Sequence, residues 1–456
     1  MKRTTFPALV AMAAVAGLAA CSSTSSTSSA GSAPGPSALA DASGVTDITI
    51  WHGLSSANGA AFQRAIADFN AANRGKIHVT AAYQGVYADL LAKYTAAIRS
   101  GSTPTVILAG DVATGFLTDV KRSIPAAEMA KANPEDLKLN DLSKQATNYY
   151  KVRGVQQAVP MNVSTPMLWV NQEILKRAGL ANAPLNTLDD VVAAAKAIKE
   201  KTGVAGFTMQ DDDWYIEQLV ANAGQEFCTP ENGRGGSPAT SITINTGGAK
   251  ADITKIANLY TSHVALTGGP DGAAAISAFQ AGKVGMMLYS SGILGALKQG
   301  TTFDYRALPF PTSGRAGESG PVIGGSALWL SSTAKPAQQV AAWKLVTYLT
   351  SPKVQEKFSH ATGYVPINIK TADSRTQQAY LAANPMAQTF ARQLNETPVV
   401  SATAGCVSGA MQAIKDSNIK QLQAAYAGQK SIGEALDDAV GEAEGAFQRY
   451  QDQLGN

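Results

Sequence analysis

The feature that most constrains the fold is an alternation of strand-like and helix-like segments near the start of the mature chain. Short apolar or alternating runs typical of strands are followed each time by a segment with helical spacing, in the order 47–51, 58–73, 77–81, 87–99 and 105–108. The first helical segment places Phe62, Ala65, Ile66 and Phe69 on one face. This β-α-β-α-β order predicts an α/β fold with a largely parallel, doubly wound sheet.

Length predicts more than one lobe. Without residues 1–44 about 410 residues remain, which exceeds what a single hydrophobic core usually organises. Charged residues make up 16% of the chain and the formal net charge is +3, with no basic stripe, so nucleic acid is not an expected partner.

The motifs of several enzyme classes are missing from the sequence. It has no G-x-S-x-G elbow, H-E-x-x-H pair or G-x-x-x-x-G-K phosphate loop. The four histidines, His52, His78, His263 and His360, lack the spacing of metal ligands. We therefore expect no metal, no cofactor and no catalytic residues, and a binding protein rather than an enzyme.

The first residues predict export. Two basic residues precede an uncharged apolar run at 6–20, which is too short to span a membrane as a finished helix and suits a signal peptide. Residues 18–21 (LAAC) resemble the lipobox of bacterial lipoproteins, in which the cysteine, here Cys21, is acylated. An ordinary signal peptide with a cysteine near its cleavage site is the alternative. Residues 22–44, rich in Ser, Ala, Gly and Pro, are expected to form a flexible tether.

Two cysteines remain if Cys21 carries a lipid. Cys228 and Cys406 have one possible pairing, and disulfides persist outside the cytoplasm. Two buried free thiols are the alternative.

Six short segments together carry a resemblance that extends from about residue 46 to 450. They are residues 50–52 (IWH), 83–87 (YQGVY), 164–166 (STP), 290–292 (SSG), 324–329 (GGSALW) and 362–366 (TGYVP). In this order and spacing they resemble the substrate-binding lipoproteins of ABC-type carbohydrate importers, in particular those that bind glycerol 3-phosphate and glycerophosphodiesters. Each segment alone is weak.

The resemblance implies a two-lobed, periplasmic-binding-protein-like fold with a ligand cleft between the lobes and a hinge motion. Residues 45–155 plus about 295–355 are predicted as lobe 1, and 156–294 plus about 356–456 as lobe 2. The sequence has no visible linker between lobes, which predicts that the chain crosses between them more than once.

The resemblance also implies a set of ligand-binding residues. In the family an acidic residue and a tyrosine bind the glycerol hydroxyls, and serine hydroxyls, a glycine N–H, a second tyrosine and an arginine bind the phosphate, while a tryptophan packs over the ligand. On this sequence these positions fall on Asp111, Tyr87, Ser164, Ser290, Gly325, Tyr364, Lys415 and Trp214. Two positions depart from the family pattern, because Asp111 replaces a glutamate and Lys415 replaces the arginine, which loses the two-pronged grip on phosphate.

Each position also has a purely structural interpretation. Asp111 and Ser290 can cap a helix, Ser164 can belong to a turn, and Gly325 can allow tight backbone packing. Tyr364 and Trp214 can be core residues, and Lys415 can be a solvated helix lysine.

The functional prediction is therefore an extracytoplasmic solute-binding subunit of an ABC importer. We expect it to be a monomer anchored by Cys21 to the outer face of the cytoplasmic membrane, to bind glycerol 3-phosphate or a glycerophosphodiester, and to dock on the permease subunits. A neutral oligosaccharide is the alternative ligand, with stacking platforms at Trp51, Trp169, Trp214 and Trp329. The alternative from a different class is a membrane-anchored glycerophosphodiester hydrolase.

Overall fold

The computed structural model describes residues 33–313 and 317–455. Within these ranges the strands are β1 Thr46–His52, β2 Ile77–Tyr83, β3 Val106–Gly110, β4 Ser123–Ile124, β5 Lys151–Val152, β6 Val155–Gln156, β7 Val159–Ser164, β8 Pro166–Asn171, β9 Ala205–Met209, β10 Cys228–Thr229, β11 Ser241–Ile242, β12 Ala265–Thr267, β13 Val284–Ser290, β14 Tyr305–Pro309 and β15 Gly324–Ser331.

The α-helices in the same ranges are α1 Ser37–Ala40, α2 Ser56–Ala72, α3 Tyr87–Ser100, α4 Thr114–Asp119, α5 Ala126–Ala132, α6 Lys144–Tyr149, α7 Gln172–Arg177, α8 Leu188–Thr202, α9 Asp213–Asn222, α10 Gly247–Thr261, α11 Ala273–Gln280, α12 Leu294–Gly300, α13 Pro336–Leu349, α14 Pro352–Thr362, α15 Arg375–Ala383, α16 Pro385–Glu396, α17 Met411–Tyr426 and α18 Ile432–Gly455.

The first sheet contains the segments that the alternating pattern predicts. Its strand order is β2-β1-β3-β15-β4, and β7 also pairs with β15. Strand β1 runs parallel to β2 and β3, whereas β15 runs antiparallel to β3. Helices α2 and α3 connect the parallel strands, and α2 buries Phe62, Ala65, Ile66 and Phe69 as predicted. The predicted β-α-β-α-β unit is thus confirmed.

A second sheet lies further along the chain. Its order is β12-β9-β13-β8-β14, with β9 parallel to β12 and β13, and with β8 antiparallel to β13 and β14. Apolar side chains form two buried clusters. The larger one surrounds Val106–Leu108 of the first sheet and extends to Trp169 and Met287 of the second, and the other surrounds Phe207 of the second sheet. The predicted α/β fold with two lobes is confirmed.

The chain changes sheets at short segments. Only Thr165 separates β7 of the first sheet from β8 of the second, and β14 of the second sheet precedes β15 of the first. Gln393 on α16 joins these two places, because its side-chain amide donates to Thr165 Oγ1 (2.5 Å) and the Pro166 carbonyl (2.7 Å) and accepts from the Phe310 N–H (2.7 Å). The lobe limits at residues 155, 295 and 355 stay a prediction.

Cys228 and Cys406 form a disulfide in the structure. Hydrogen bonds also connect the chain segments around the two cysteines, since the Asn232 side chain accepts from the Cys228 N–H and donates to the Ser401 carbonyl. This links the loop after β10 to the segment before α17.

Part of the predicted tether is ordered. The backbone at 37–40 forms α1, the Asn133 side chain donates to the Pro34 carbonyl (3.0 Å), and Ala33 and Leu39 pack against the first core cluster. The prediction of a flexible tether is therefore wrong for residues 33–44, because its few apolar side chains find a partner surface. Residues 1–32, which include Cys21, lie outside the described residues. Among the described residues, no helix is long and apolar enough to cross a membrane.

Candidate ligand-binding site

The first sheet supplies Tyr87 and Asp111. Tyr87 begins α3, and its ring lies against two glycines, where a Cβ at Gly53 or Gly110 would come within 2.8 Å of it. The Tyr87 hydroxyl accepts a hydrogen bond from the Asn162 side chain at 3.3 Å. Burial raises the pKa of Tyr87, so that its hydroxyl stays protonated and can act as a donor.

Asp111 follows β3 and retains some exposed surface. One of its oxygens accepts the N–H of the next residue, Val112, at 2.7 Å, but the helical turn that begins at Asp111 has no side-chain cap, so the capping interpretation of Asp111 is wrong. Burial raises the pKa of Asp111 to about 7, an effect that Lys415 opposes and Glu217 reinforces. Near neutral pH this group can therefore either accept or donate a hydrogen bond.

Trp214, Ser164 and the start of β15 meet at one point. A Cβ at Gly324 would lie 2.6 Å from the Trp214 ring and 3.0 Å from Ser164 Oγ. The indole N–H of Trp214 donates to the Ile323 carbonyl at 3.3 Å, and the side chain is 9% exposed. Trp214 therefore packs close to the predicted glycine segment, although most of its surface is buried as a core residue would be.

Gly325 has a clear backbone reason to be glycine. Its φ is +124°, and a Cβ at this position would lie 1.9 Å from the Asn162 carbonyl oxygen. The tight-packing interpretation is thus supported for Gly325, and it is compatible with a ligand contact through its N–H.

Ser290 and Tyr364 lie on neighbouring elements. Ser290 ends β13 and caps the following turn, since its hydroxyl accepts the Gly292 N–H at 3.1 Å. A Cβ at Gly292 would lie 2.9 Å from the Tyr364 ring. Tyr364 interacts with Tyr87 in turn, and burial raises the pKa of its hydroxyl well above the usual value.

Lys415 on α17 is 8% exposed, so the interpretation as a solvated helix lysine is wrong. Its Nζ lies 3.7 Å from Oε2 of Glu217 on α9. Burial alone would lower the pKa of Lys415, but Glu217, Asp212, Asp111 and Asp213 together raise it. Lys415 is therefore a charged, largely buried ammonium held among carboxylates.

Sequence reasoning missed four residues at this site, namely Tyr150, Asn162, Asp213 and Glu217. Tyr150 is fully buried, its hydroxyl has no hydrogen-bond partner among the described residues, and Asp111, Tyr87 and Tyr364 all influence its pKa, which burial raises. The helical spacing of Asp213 and Glu217, four residues apart in a largely apolar segment, was a usable signal. Nothing local marks Tyr150 or Asn162.

Six of the eight predicted residues interact in two groups, one of four residues and one of two. Asp111 interacts with Tyr87 and Lys415, Tyr87 with Tyr364, and Trp214 lies beside Ser164. The eight predicted residues include Ser164 on β7 of the first sheet and Ser290 on β13 of the second. The described residues hold no cluster of three or more His, Cys, Asp or Glu side chains suited to a metal ion.

Comparisons with known proteins agree with this architecture. Residues 64–386 match the model of the bacterial extracellular solute-binding protein family. The chain is 25% identical over 426 residues to the sn-glycerol-3-phosphate-binding periplasmic protein UgpB of Escherichia coli K12, which covers 92% of this chain and 96% of the relative.

Solved structures show the same fold. UgpB from Mycobacterium tuberculosis in complex with glycerophosphocholine aligns with a TM-score of 0.73 and 19% identity over 88% of this chain and 98% of that one. The GacH receptor of Streptomyces glaucescens, solved unliganded and with acarbose, aligns with a TM-score of 0.74 and 22% identity over 89% and 99%. The chain belongs to the bacterial extracellular solute-binding proteins, whose members bind solutes and are not enzymes.

Proposed function

We propose that this protein is the solute-binding component of an ABC importer and that its ligand is glycerol 3-phosphate or a glycerophosphodiester. The observation that supports the proposal is the interaction of Asp111 with both Tyr87 and Lys415, together with the similarity to the E. coli glycerol-3-phosphate-binding protein over 92% of the chain. Two proteins of the same fold, Lmo0181 from Listeria monocytogenes and a protein from Thermotoga lettingae, are ABC solute-binding proteins, which supports the importer assignment.

The proposed site has two ends. Asp111 and Tyr87 accept and donate hydrogen bonds to the glycerol hydroxyls. Lys415 supplies a cation for the phosphate, and the other donors named for it in the family are the hydroxyls of Ser164, Ser290 and Tyr364 and the N–H of Gly325. Trp214 packs over the ligand. A polar ligand enclosed in this way replaces its hydration by several convergent donors and acceptors.

Ligand binding is proposed to shift an equilibrium between open and closed forms. Asp111 follows a strand of the first sheet, whereas Trp214 and Lys415 lie on α9 and α17, which pack together beside the second sheet. A ligand that contacts both groups binds the closed form more tightly and therefore populates it. The closed form then docks on the membrane subunits.

Calorimetry tests the ligand assignment. We expect glycerol 3-phosphate or glycerophosphocholine to bind at micromolar Kd or tighter, about −8 kcal/mol, and maltose and trehalose to give no heat. Lys415→Ala should weaken a phosphate ligand at least 10-fold and a neutral ligand much less. Binding of the sugars alone, or an equal effect of Lys415→Ala on both ligand types, would contradict the assignment.

A neutral oligosaccharide is the second candidate, and the surplus of carboxylates around Lys415 favours it. Structures of maltose- and acarbose-binding proteins are also among the neighbours. Trp169 and Trp329 cannot stack on a sugar, because they are 0% and 1% exposed. Trp51 and Trp214 remain as candidate platforms.

The pH dependence of binding separates the two candidates. Glycerophosphoglycerol keeps a constant charge of −1 from pH 6 to 8, while Asp111, whose pKa burial raises to about 7, becomes ionised over that range. Asp213, whose pKa burial raises to about 8, also begins to ionise, and we expect the repulsion of the phosphodiester by both carboxylates to outweigh the better acceptor that Asp111 then offers to the glycerol hydroxyls. Affinity for this anion should therefore fall as pH rises. A neutral sugar that donates a hydroxyl to the Asp111 carboxylate should instead bind more tightly at pH 8 than at pH 6.

We also propose export and lipid attachment at Cys21, which holds the protein at the outer face of the cytoplasmic membrane. The lipobox-like sequence and the extracellular family support this proposal. Labelled palmitate should be incorporated into the wild-type protein and not into Cys21→Ser, which should appear in the soluble fraction. Retention of the label by Cys21→Ser would rule the attachment site out.

A further inference from the structure

The surroundings of Lys415 contain more negative charge than a phosphate site usually holds. Asp213 and Glu217 lie one turn apart on α9, which packs against the part of α17 that carries Lys415 and Asn418. Asp213 and Glu217 are each 1% exposed, and Asn418 is 0% exposed. The lysine is therefore built into a buried, acidic helix interface.

Glu217 is fixed in position by its second contact. One carboxylate oxygen accepts the Cys406 N–H at 2.9 Å, and the other faces Lys415 Nζ at 3.7 Å. Cys406 is itself bonded to Cys228. Because the disulfide segment holds Glu217, this carboxylate remains beside Lys415 when a ligand arrives.

A second cation near the cluster, the guanidinium of Arg234, already donates its hydrogen bonds to other groups. Arg234 interacts with Glu217, but its guanidinium donates to the carbonyls of Gly405 (2.7 Å), Tyr149 (3.0 Å) and Lys151 (3.2 Å). These bonds use its donors for backbone groups. Among the described residues of this cluster, Lys415 is therefore the cation placed to meet an anion.

The charges that surround Lys415 can be counted. Four carboxylates influence it, from Glu217, Asp212, Asp111 and Asp213. Burial raises the pKa of Asp111 to about 7 and that of Asp213 to about 8, which removes part of this negative charge near neutral pH. The site still has no positive excess, so each negative charge of a ligand is repelled there, and a ligand with nearly two charges is repelled about twice as strongly as a ligand with one.

Phosphate esters differ in the charge that they bring. A monoester carries about −1.5 to −2 at pH 7, because its second pKa is near 6, whereas a diester carries −1. We propose that Glu217 sets the upper limit on the negative charge of the ligand, so that the site takes a phosphodiester of a polyol and rejects the corresponding phosphomonoester. This inference rests on the proposed function and selects between its two ligand classes.

Calorimetry at pH 7.5 tests the inference with glycerophosphoglycerol as the diester and glycerol 3-phosphate as the monoester. The wild type should bind the diester at least 10-fold more tightly. Glu217→Gln, whose amide oxygen can still accept the Cys406 N–H, should reduce this preference at least 10-fold by improving monoester binding. Glu200→Gln, which removes an exposed carboxylate from α8, is the matched control and should leave the preference unchanged. Thermal unfolding verifies that each variant is folded.

The possible results separate the two proposals. Equal binding of both esters by the wild type, or an unchanged preference in folded Glu217→Gln, would overturn the charge limit and leave the proposed function standing. If the Gln variant does not fold, the wild-type preference alone decides. If neither ester binds to the wild type, the proposed function fails and the charge limit fails with it.

Discussion

The buried carboxyl group of Asp213 makes a quantitative prediction about stability. Asp213 is 1% exposed and accepts the Asn418 side-chain N–H at 2.9 Å. Its second oxygen and the amide oxygen of Asn418 both lack a partner among the described residues. A proton on Asp213 Oδ2 would make that oxygen a donor to Asn418, which explains why the site tolerates a neutral acid.

The magnitude follows from proton linkage. Burial raises the pKa of Asp213 from 3.8 to about 8, while Lys415 and the hydrogen bond from Asn418 oppose the shift. Between these two values the folded protein holds a proton that the unfolded chain has released, so stability falls as pH rises. The slope is about 1.4 kcal/mol per pH unit, and the fall from pH 5 to pH 8 is about 3–4 kcal/mol from this group alone.

Urea unfolding of the ligand-free protein at pH 5, 6.5 and 8 measures this effect. Asp213→Asn retains the acceptor for Asn418 and cannot ionise, so the variant should lose about 3–4 kcal/mol less than the wild type over the same range. Asp373→Asn, which removes an exposed carboxylate, should follow the wild type. A wild-type stability that is flat or rises from pH 5 to 8, or an unchanged slope in Asp213→Asn, would refute the reasoning.

Three further substitutions test other parts of the structure. Gly325→Ala should destabilise the protein by at least about 2 kcal/mol and abolish binding, since its Cβ would meet a carbonyl oxygen at 1.9 Å; wild-type unfolding and affinity would contradict this. Gln393→Ala removes three hydrogen bonds at the sheet crossovers and should lower the free energy of unfolding by about 3 kcal/mol. The control Gln388→Ala, at an exposed position of the same helix, should leave the free energy of unfolding unchanged. Tyr150→Phe should leave the free energy of unfolding within about 1 kcal/mol of the wild type, because the Tyr150 hydroxyl has no partner among the described residues. The same variant should bind the ligand about 10-fold more weakly in calorimetry, and unchanged affinity would place Tyr150 outside the site.

Local periodicity was sufficient to predict the first sheet. The predicted strand at 47–51 is β1, and the predicted helices at 58–73 and 87–99 are α2 and α3 within two residues at each end. These elements have one apolar face, so their pattern follows directly from how they pack.

The crossings between the sheets could not be read from the sequence. Strands β7 and β8 are buried at every position and only Thr165 lies between them, so the region reads as one continuous polar-poor run without a linker. Sheet membership depends on pairing with β15 and β13, more than 100 residues away. Such pairing leaves no local signal.

The site residues likewise divide into those with a local sequence signal and those that depend on distant partners. The positions with family motifs around them, such as Tyr87 and Ser164, could be predicted from the resemblance. For Glu217 the helical spacing from Asp213 was a local signal, but it does not indicate the partners of this carboxylate. Its partners Cys406 and Lys415 are about 190 and 200 residues away along the chain. The ordered residues 33–44 were missed for a related reason, because docking on the body compensates for a composition that predicts disorder.

Small-angle scattering on the purified protein without residues 1–32 tests the central claim that a polar solute closes a cleft between two lobes. The radius of gyration should decrease when glycerophosphoglycerol is added at a concentration that saturates the calorimetric signal, and it should not change when maltose is added at the same concentration. An unchanged radius of gyration at saturation with the phosphodiester would contradict the account.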